Sequence, residues 1–549
     1  MTAKLRNWWP AALCELCYLL VVIGVAVSST GATGGRIVYP LDDTYIHMAI
    51  AKNFATRGVW GVSGDAFSSS TSSPLYTALL AAGDVAFGVR DLLPLVVNLL
   101  FGTVLIGALF RRLRREVSPR MVLPLLLFIT AALSLPGLTL LGMEHVLHTL
   151  LTILFVHLAA TALADTQRGL RQARALLLAA ALLPITRYEG LLAVALVVAF
   201  LLLQRRFTLA VGVALAGSTP VAAYGLLALS HGWLLIPNSV LLKGSVPDFS
   251  SVRAVAMALG GRAVLQLLKN PSLLILLIAG LVACVSIGRS AAPKEPGRAW
   301  WEVVIFLGLM LLHLQTARVG WLFRYDAYLV GLGLLVSLPT LLRMLALTRD
   351  AIPARTRRLR LGIPLLGLLP LAVPFAQRAV RAVDYTRQAS YDRYLEHILP
   401  ARFLAEYRPD ATIAVNDIGA IAYYTRCRVL DVYGLGSMEP LRFRRSDSGY
   451  TRDQVREWAR QSGATLAVLQ IQWAEIARRI PEGWVEVADW ELPRNVVFGD
   501  TRIGWFALKP ELAPSLARDL TAFQAELPAD IQVTRLIAPA SPQGASDSP

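Results

Sequence analysis

A succession of apolar runs constrains this chain more than any other feature. They lie at 11–29, 93–110, 121–140, 146–164, 175–186, 191–204, 207–229, 271–288, 302–316, 327–346 and 361–377, separated by polar breaks. Roughly 20 apolar residues cross a bilayer as a helix, and in hydrocarbon only helices and closed barrels satisfy their own backbone. One large soluble enzyme is therefore excluded, and the pattern predicts a polytopic α-helical membrane protein with about eleven transmembrane helices. The first run follows Lys4 and Arg6 as in a signal peptide, but it is long enough to span and lacks a clean small-residue cleavage site. It reads as an uncleaved helix.

Charge divides the chain. Residues 1–378 hold 33 basic and 15 acidic side chains, whereas 379–549 hold 20 and 22, the density of a soluble protein. The net charge of +16 lies in short loops between spans, where it orients a membrane protein, so it does not point to nucleic acid. Leu75–Val89 is apolar but short and carries Asp84. Reading it as a re-entrant or interfacial helix places Arg111, Arg112, Arg114, Arg115 and Arg120 on the cytoplasmic side. The opposite side then receives loop 30–92, the turns near 142 and 187, loop 230–270, turn 317–326 and the tail. The expectation is a multi-pass protein of the cytoplasmic (inner) membrane, with its site and C-terminal domain extracytoplasmic.

The expected domains are a transmembrane unit at 1–378, a soluble α/β domain at 379–540 and a disordered tail at 541–549. Strands are predicted at Ala411–Val415, Arg428–Val432, Ala464–Leu469, Trp484–Val487 and Gly504–Leu508, and helices at Val455–Arg460 and Leu516–Ala525. Cys14 and Cys17 have C-x-x-C spacing inside the first apolar run and read as packing residues; no disulfide framework is implied by the four cysteines.

The polar residues that could carry chemistry gather on the face away from the arginine-rich loops. After the first span comes Tyr39-Pro40-Leu41-Asp42-Asp43-Thr44-Tyr45-Ile46-His47, with Lys52 and Asn53 beyond. On a helix Asp43 and His47 share a face. A carboxylate here suits a general base for an acceptor hydroxyl; capping the helix N-terminus is the competing role. Ser68-Ser69-Ser70-Thr71-Ser72-Ser73-Pro74 opens a second helix. Glu144 and His148, one turn apart, either join a metal site or hydrogen-bond at the interface. Arg187-Tyr188-Glu189 breaks two apolar runs, and Asn238, Lys243, Arg324 and Tyr325 add polar groups on the same face. Three cations there suit a phosphate, against snorkelling to headgroups for each alone.

These segments, in order, resemble the GT-C superfamily of polytopic glycosyltransferases. The resemblance rests on Asp42-Asp43 after the first span, Ser72-Ser73-Pro74-Leu75, Gly142-Met143-Glu144, Arg187-Tyr188-Glu189-Gly190, Pro237-Asn238-Ser239 with Lys243, and Arg324-Tyr325. In the tail, Asn416-Asp417-Ile418-Gly419 and Val429-Leu430-Asp431-Val432-Tyr433-Gly434 also fit. Within GT-C, the chain is similar to bacterial relatives of the mycobacterial terminal arabinofuranosyltransferase. The resemblance implies an inverting transferase that takes a sugar from a polyprenyl-phosphate donor to a glycan or lipid acceptor among membrane lipids. It maps the catalytic aspartate onto Asp42 or Asp43 without deciding between them; we take Asp42 first and Asp43 second. The leaving phosphate is expected at Arg187, Lys243 and Arg324, and the substrates at Tyr45, Asn53, Glu189, Asn238 and Tyr325. A divalent cation (Mg²⁺ or Mn²⁺) would be held by Asp43, His47, Glu144 and His148. The alternatives are a lipid-linked-sugar flippase or transporter, which needs polar groups through the bilayer, and a non-catalytic scaffold. The tail either grips a polymeric acceptor or only caps the membrane unit.

Overall fold

The structure, a computed structural model, describes residues 8–535 apart from 166–168, 244–250, 252–253, 255, 291–295, 352–356, 447–448, 494–495 and 498–500. The tail at 541–549 lies outside the described residues.

The chain is a polytopic helical membrane protein with a C-terminal mixed α/β domain. Among the described residues, seven helices are long and apolar enough to cross a membrane: Trp9–Ala32, Leu93–Glu116, His145–Ala164, Phe207–Ser230, Pro271–Arg289, Arg298–Thr316 and Ala327–Ala346. Their side chains sort by environment. Trp9–Ala32 buries Cys14, Tyr18, Val22 and Val25 while Leu16, Leu20, Ile23 and Val27 are exposed, so one stripe packs inward and the other suits lipid. His145–Ala164 is buried nearly all round and forms the centre of the bundle. The remaining four expected spans are also helical: 121–140 is divided between Pro119–Ala132 and Leu135–Leu140, and the others coincide with Leu170–Thr186, Gly190–Leu203 and part of Arg357–Arg393. A 14-residue helix rises only about 21 Å, short of the roughly 30 Å hydrocarbon layer. Among the described residues, seven of the eleven expected runs thus meet both the length and the composition of a full crossing. Pro74–Phe87, the segment read as re-entrant or interfacial, is likewise a 14-residue helix, with proline in its first turn.

Arg357–Arg393 runs without a break through residue 379 into the π-helical turn Tyr394–Ile398 and the helix Leu399–Tyr407, which deliver the chain to the sheet. Six strands follow: β1 Thr412–Val415, β2 Arg428–Asp431, β3 Leu466–Gln470, β4 Val485–Glu491, β5 Arg502–Ala507 and β6 Gln532–Arg535, in the order β2-β1-β3-β5-β4-β6. β2, β1 and β3 are parallel, and the other pairings are antiparallel. β1 to β5 fall where alternation predicts strands. β6 was not expected, because its short run, Gln532-Val533-Thr534-Arg535, is too polar to stand out. One sheet face joins the main core through Ile413, Val415 and Val468, and the other packs on Val455, Trp458 and Phe506.

Asp42–Arg57 is the helix on which the two parts meet. Its N-cap is Leu41, and no side chain makes a cap bond there. Asp42 and Asp43 occupy the first turn instead, where negative charge is favoured by the helix dipole. The capping role is thereby corrected: both carboxylates point elsewhere.

Candidate active site

Two cavities share the lining residues Asp43, Arg318, Arg324 and Tyr325. The first, about 240 Å³, lies at the ends of membrane helices and is also lined by Ser72, Arg187, Glu189, Leu192 and Ser239. The second, about 550 Å³, lies between the membrane unit and the α/β domain and is lined in part by Arg262, Lys269, Asp417, Tyr433 and Trp473. Asp43 is on the wall of both, its side chain one-fifth exposed, and it accepts a 2.9 Å hydrogen bond from Arg324 Nη2. The same nitrogen donates to the Tyr325 hydroxyl at 3.0 Å, and the guanidinium lies 4.8 Å from the centre of the Tyr325 ring.

The turn that presents Arg324 is strained. Trp321, Leu322 and Phe323 have φ of 47°, 54° and 59°. Left-handed backbone costs a non-glycine residue roughly 1–2 kcal/mol, and such strain persists only where the surroundings over-determine it. Here Asp326 accepts from the Gly320 amide at 2.9 Å and from Arg378 at 2.5 Å, and Arg378 also donates to the Phe323 carbonyl at 2.7 Å.

Arg187 is boxed in. It donates to Glu144 Oε1 at 2.5 Å and Glu189 Oε1 at 2.6 Å, with His145 Nε2 at 2.9 Å. Glu144 also lies 3.5 Å from His47 Nε2, and His47 Nδ1 pairs with Thr77 and Thr71. His148 packs edge-on against Tyr328. The four expected metal ligands thus do not fit a cation: Asp43 faces Arg324, Glu144 faces Arg187, and His148 contacts an aromatic ring. The expected set is corrected, because each acid already has a guanidinium partner.

An acidic/histidine cluster does exist elsewhere. Glu396, His397 and Asp417 bring ligand-type atoms within 4.8 Å of one another. His397 Nε2 lies 3.0 Å from Asp417 Oδ2, and Arg393 Nη1 donates to Glu396 at 2.8 Å. The guanidinium supplies positive charge inside the cluster, so a dication there would meet like charge.

Asp42 faces this cluster. Its Oδ2 and Oδ1 accept the Gly419 and Ala420 amides at 2.7 and 2.9 Å, and His397 Nδ1 lies 4.0 Å away. Burial raises its pKa above the ordinary value, with His397 and the two amides opposing and Asp417 adding to the shift. Burial works the same way on Asp417, but the hydrogen bond and charge of His397 outweigh it and the net direction is downward. His397 is raised: Glu396 and Asp417 outweigh burial and Arg393.

The structure thus gathers Asp43, Arg187, Glu189, Arg324 and Tyr325 around the cavities. Other expected site residues sit in packing positions. Tyr45 is fully buried, its hydroxyl accepting the Tyr39 amide. Asn53 donates to the Gly61 and Val62 carbonyls and ties down the loop. Asn238 donates to the Gly434 and Ser437 carbonyls, joining membrane unit to domain. The Lys243 side chain lies outside the described residues. Sequence reasoning passed over Arg318, Arg262, Lys269 and Trp473, which sit in loops or a short helix with no motif. Arg318, six residues before the chosen Arg324 in one turn, was the readable signal.

A family model described as a domain of unknown function (DUF8728) matches residues 384–508. No curated protein matches the sequence. Among solved structures, apo ArnT from Cupriavidus metallidurans aligns with a TM-score of 0.51 at 15% identity, over 90% of this chain and 98% of that one. The fold is GT-C-like. ArnT bound to undecaprenyl phosphate aligns with a TM-score of 0.49 at 16% identity, again over 90% and 98% of the two chains. The archaeal oligosaccharyltransferase AglB from Archaeoglobus fulgidus, in complex with an inhibitory peptide and a dolichol-phosphate, gives 0.45 at 12% identity, over 94% of this chain and 75% of that one. None of these names is an arabinofuranosyltransferase.

Proposed function

We propose that this protein is an inverting glycosyltransferase that moves a sugar from a polyprenyl phosphate to an acceptor hydroxyl at the outer face of the cytoplasmic membrane. One observation carries the reading: a carboxylate, Asp43, stands at the junction of two cavities beside two arginines that line both, Arg318 and Arg324. A transferase needs this arrangement, with donor and acceptor approaching one base from different sides. The first cavity suits the donor, since Leu192 and the neighbouring membrane helices bring it within reach of a lipid tail. The fold shared with ArnT, a protein recorded with undecaprenyl phosphate, agrees.

In the reaction, the acceptor hydroxyl gives its proton to Asp43 and its oxygen attacks the anomeric carbon. The bond from that carbon to the phosphate oxygen breaks, and the electron pair leaves on polyprenyl phosphate. Arg318 and Arg324 hold that charge, while Arg187, enclosed by Glu144 and Glu189, backs the cavity wall. Asp43 replaces Asp42 as the preferred base, because both Asp42 oxygens already accept backbone amides. No step calls for a divalent ion. The flippase reading would need polar groups through the bilayer, whereas the polar residues lining both cavities lie on the domain side.

Purified protein in nanodiscs, offered a panel of polyprenyl-phosphate sugars that includes arabinofuranose, should release free polyprenyl phosphate from one of them. Asp43→Asn should lower that rate by about 10²–10⁴, the usual worth of a general base. Full activity in Asp43→Asn, or consumption of nucleotide sugars in place of lipid-linked ones, would overturn the assignment.

A further inference from the structure

The second cavity has a character of its own. It opens at the carboxyl ends of all three parallel strands: Asp417 follows β1, Tyr433 follows β2 and Trp473 follows β3. The chain runs from β1 to β2 on one side and then to β3 on the other, so winding reverses at β1. Ligands of open α/β sheets bind outside the carboxyl ends of strands at such a switch. Trp473 stacks on Tyr433, their ring centres 4.8 Å apart and tilted by 34°, and Arg444 lies 5.7 Å from the centre of the Tyr433 ring. The indole face of Trp473 turned away from Tyr433 is of the kind that takes the C–H face of a sugar ring. The Tyr433 loop is held in shape by Asp431, which accepts the amides of Tyr433, Gly434 and Gly436. It is braced from the membrane unit by Asn238.

The opposite wall is cationic. The helix Arg262–Lys269 places Arg262, Gln266 and Lys269 on the cavity, at i, i+4 and i+7, while Val264 and Leu268 are exposed on another side. Gln266 fastens it by donating to the Leu314 and Ala317 carbonyls. Among the described residues neither Arg262 nor Lys269 has a carboxylate partner. The lining carboxylates Asp42, Asp43 and Asp417 are engaged with backbone amides, Arg324 and His397. Two cations without a carboxylate partner among the described residues therefore face Trp473 across one cavity that reaches Asp43.

We propose that the second cavity binds the acceptor, and that this acceptor is an anionic saccharide: a sugar ring on Trp473, which Tyr433 backs, with a phosphate or carboxylate substituent held by Arg262 and Lys269. The proposal rests on the transferase reading for the word acceptor, but the binding claim stands apart from it. The anionic group comes either from a lipid-anchored glycan or from a soluble polymer, and the chemistry of recognition is common to both.

The test measures binding to the full-length protein in nanodiscs of uncharged phosphatidylcholine. The probes are octyl glucoside and its 6-phosphate, together with free glucose and glucose 6-phosphate. The phosphorylated member of a pair should bind at least tenfold more tightly than its neutral parent. That preference should fall below twofold in Arg262→Gln/Lys269→Gln and shrink with added salt. Trp473→Leu should weaken both members of a pair alike. A preference confined to the octyl pair assigns a lipid-borne acceptor, and one seen in both pairs assigns a soluble source. Equal binding of charged and neutral probes, or a preference unchanged in the double variant, would show that the two cations only meet lipid headgroups and would overturn the proposal. Asp43→Asn separates the two readings: binding preserved with transfer lost supports both, whereas transfer preserved sinks the catalytic assignment and leaves the binding result to be judged alone.

Discussion

Adjacent aspartates on one helical turn have opposite fates here. Asp42 and Asp43 are equivalent in sequence, but one turns toward the α/β domain and the other toward the cavities. In Asp42→Asn one carboxylate oxygen becomes an NH₂ group facing a backbone N–H. Leaving one buried amide unpaired costs about 1–3 kcal/mol. Asp42→Asn should therefore lower the melting temperature more than Asp43→Asn does, while keeping more transfer activity; melting of both purified variants beside their rates checks the contrast. His397 adds a pH dependence. Its folded pKa is raised above the ordinary 6.5. The native state thus prefers the protonated ring, so that stabilisation is complete below pH 6.5 and is lost as pH rises through the raised value. Thermal melting across this range should show stability declining in the wild type and a flatter profile in His397→Gln. An identical decline in the variant would assign the effect to another group.

At the scale of elements, the helix Gly419–Tyr424 lies alongside the first turns of the helix Asp42–Arg57, from Asp42 to Lys52, and Gly419 makes the close approach possible. A β-carbon there would lie 2.7 Å from the Ile46 amide nitrogen and nearer still to the Asp42 carbonyl oxygen. Both neighbours are backbone and cannot swing aside. Gly419→Ala should cost about 1–3 kcal/mol, as overpacking does, and loosen the domain from the membrane unit. Faster limited proteolysis around residues 408–410, with undiminished insertion, is the expected result; wild-type resistance would show that the contact yields. Sequence reading placed a strand end and a turn at Asp417-Ile418-Gly419. It missed the helix that starts at Gly419, because six residues carry too little periodicity to register.

For the molecule as a whole, orientation decides which compartment supplies the substrates. The positive-inside reading places Arg114 in the cytoplasm and Arg387, on the helix entering the domain, outside. In a cysteine-free background, a membrane-impermeant thiol reagent applied to intact cells should label Arg387→Cys and spare Arg114→Cys. The reverse pattern would invert the site. The second cavity is composite, with Arg262 and Lys269 from one part of the chain and Tyr433 and Trp473 from the other. Neither part alone encloses it.

Much of this architecture was legible in the amino-acid sequence. Apolar runs must be helices in a bilayer, since no other local structure pairs their backbone there, and alternation marked five of the six strands. The carboxylates and arginines of the site were visible as polar groups collected on one face. Which of them share a cavity was not, because that depends on contacts between residues hundreds of positions apart. Asp42 is spent on amides 377 and 378 residues away. Asn238 reaches a carbonyl 196 residues away. Arg262 and Trp473 meet across a cavity without belonging to any common motif. Local pattern reports how each segment prefers to fold and which solvent it prefers; only the packed chain decides which charges neutralise one another and which are left facing a substrate.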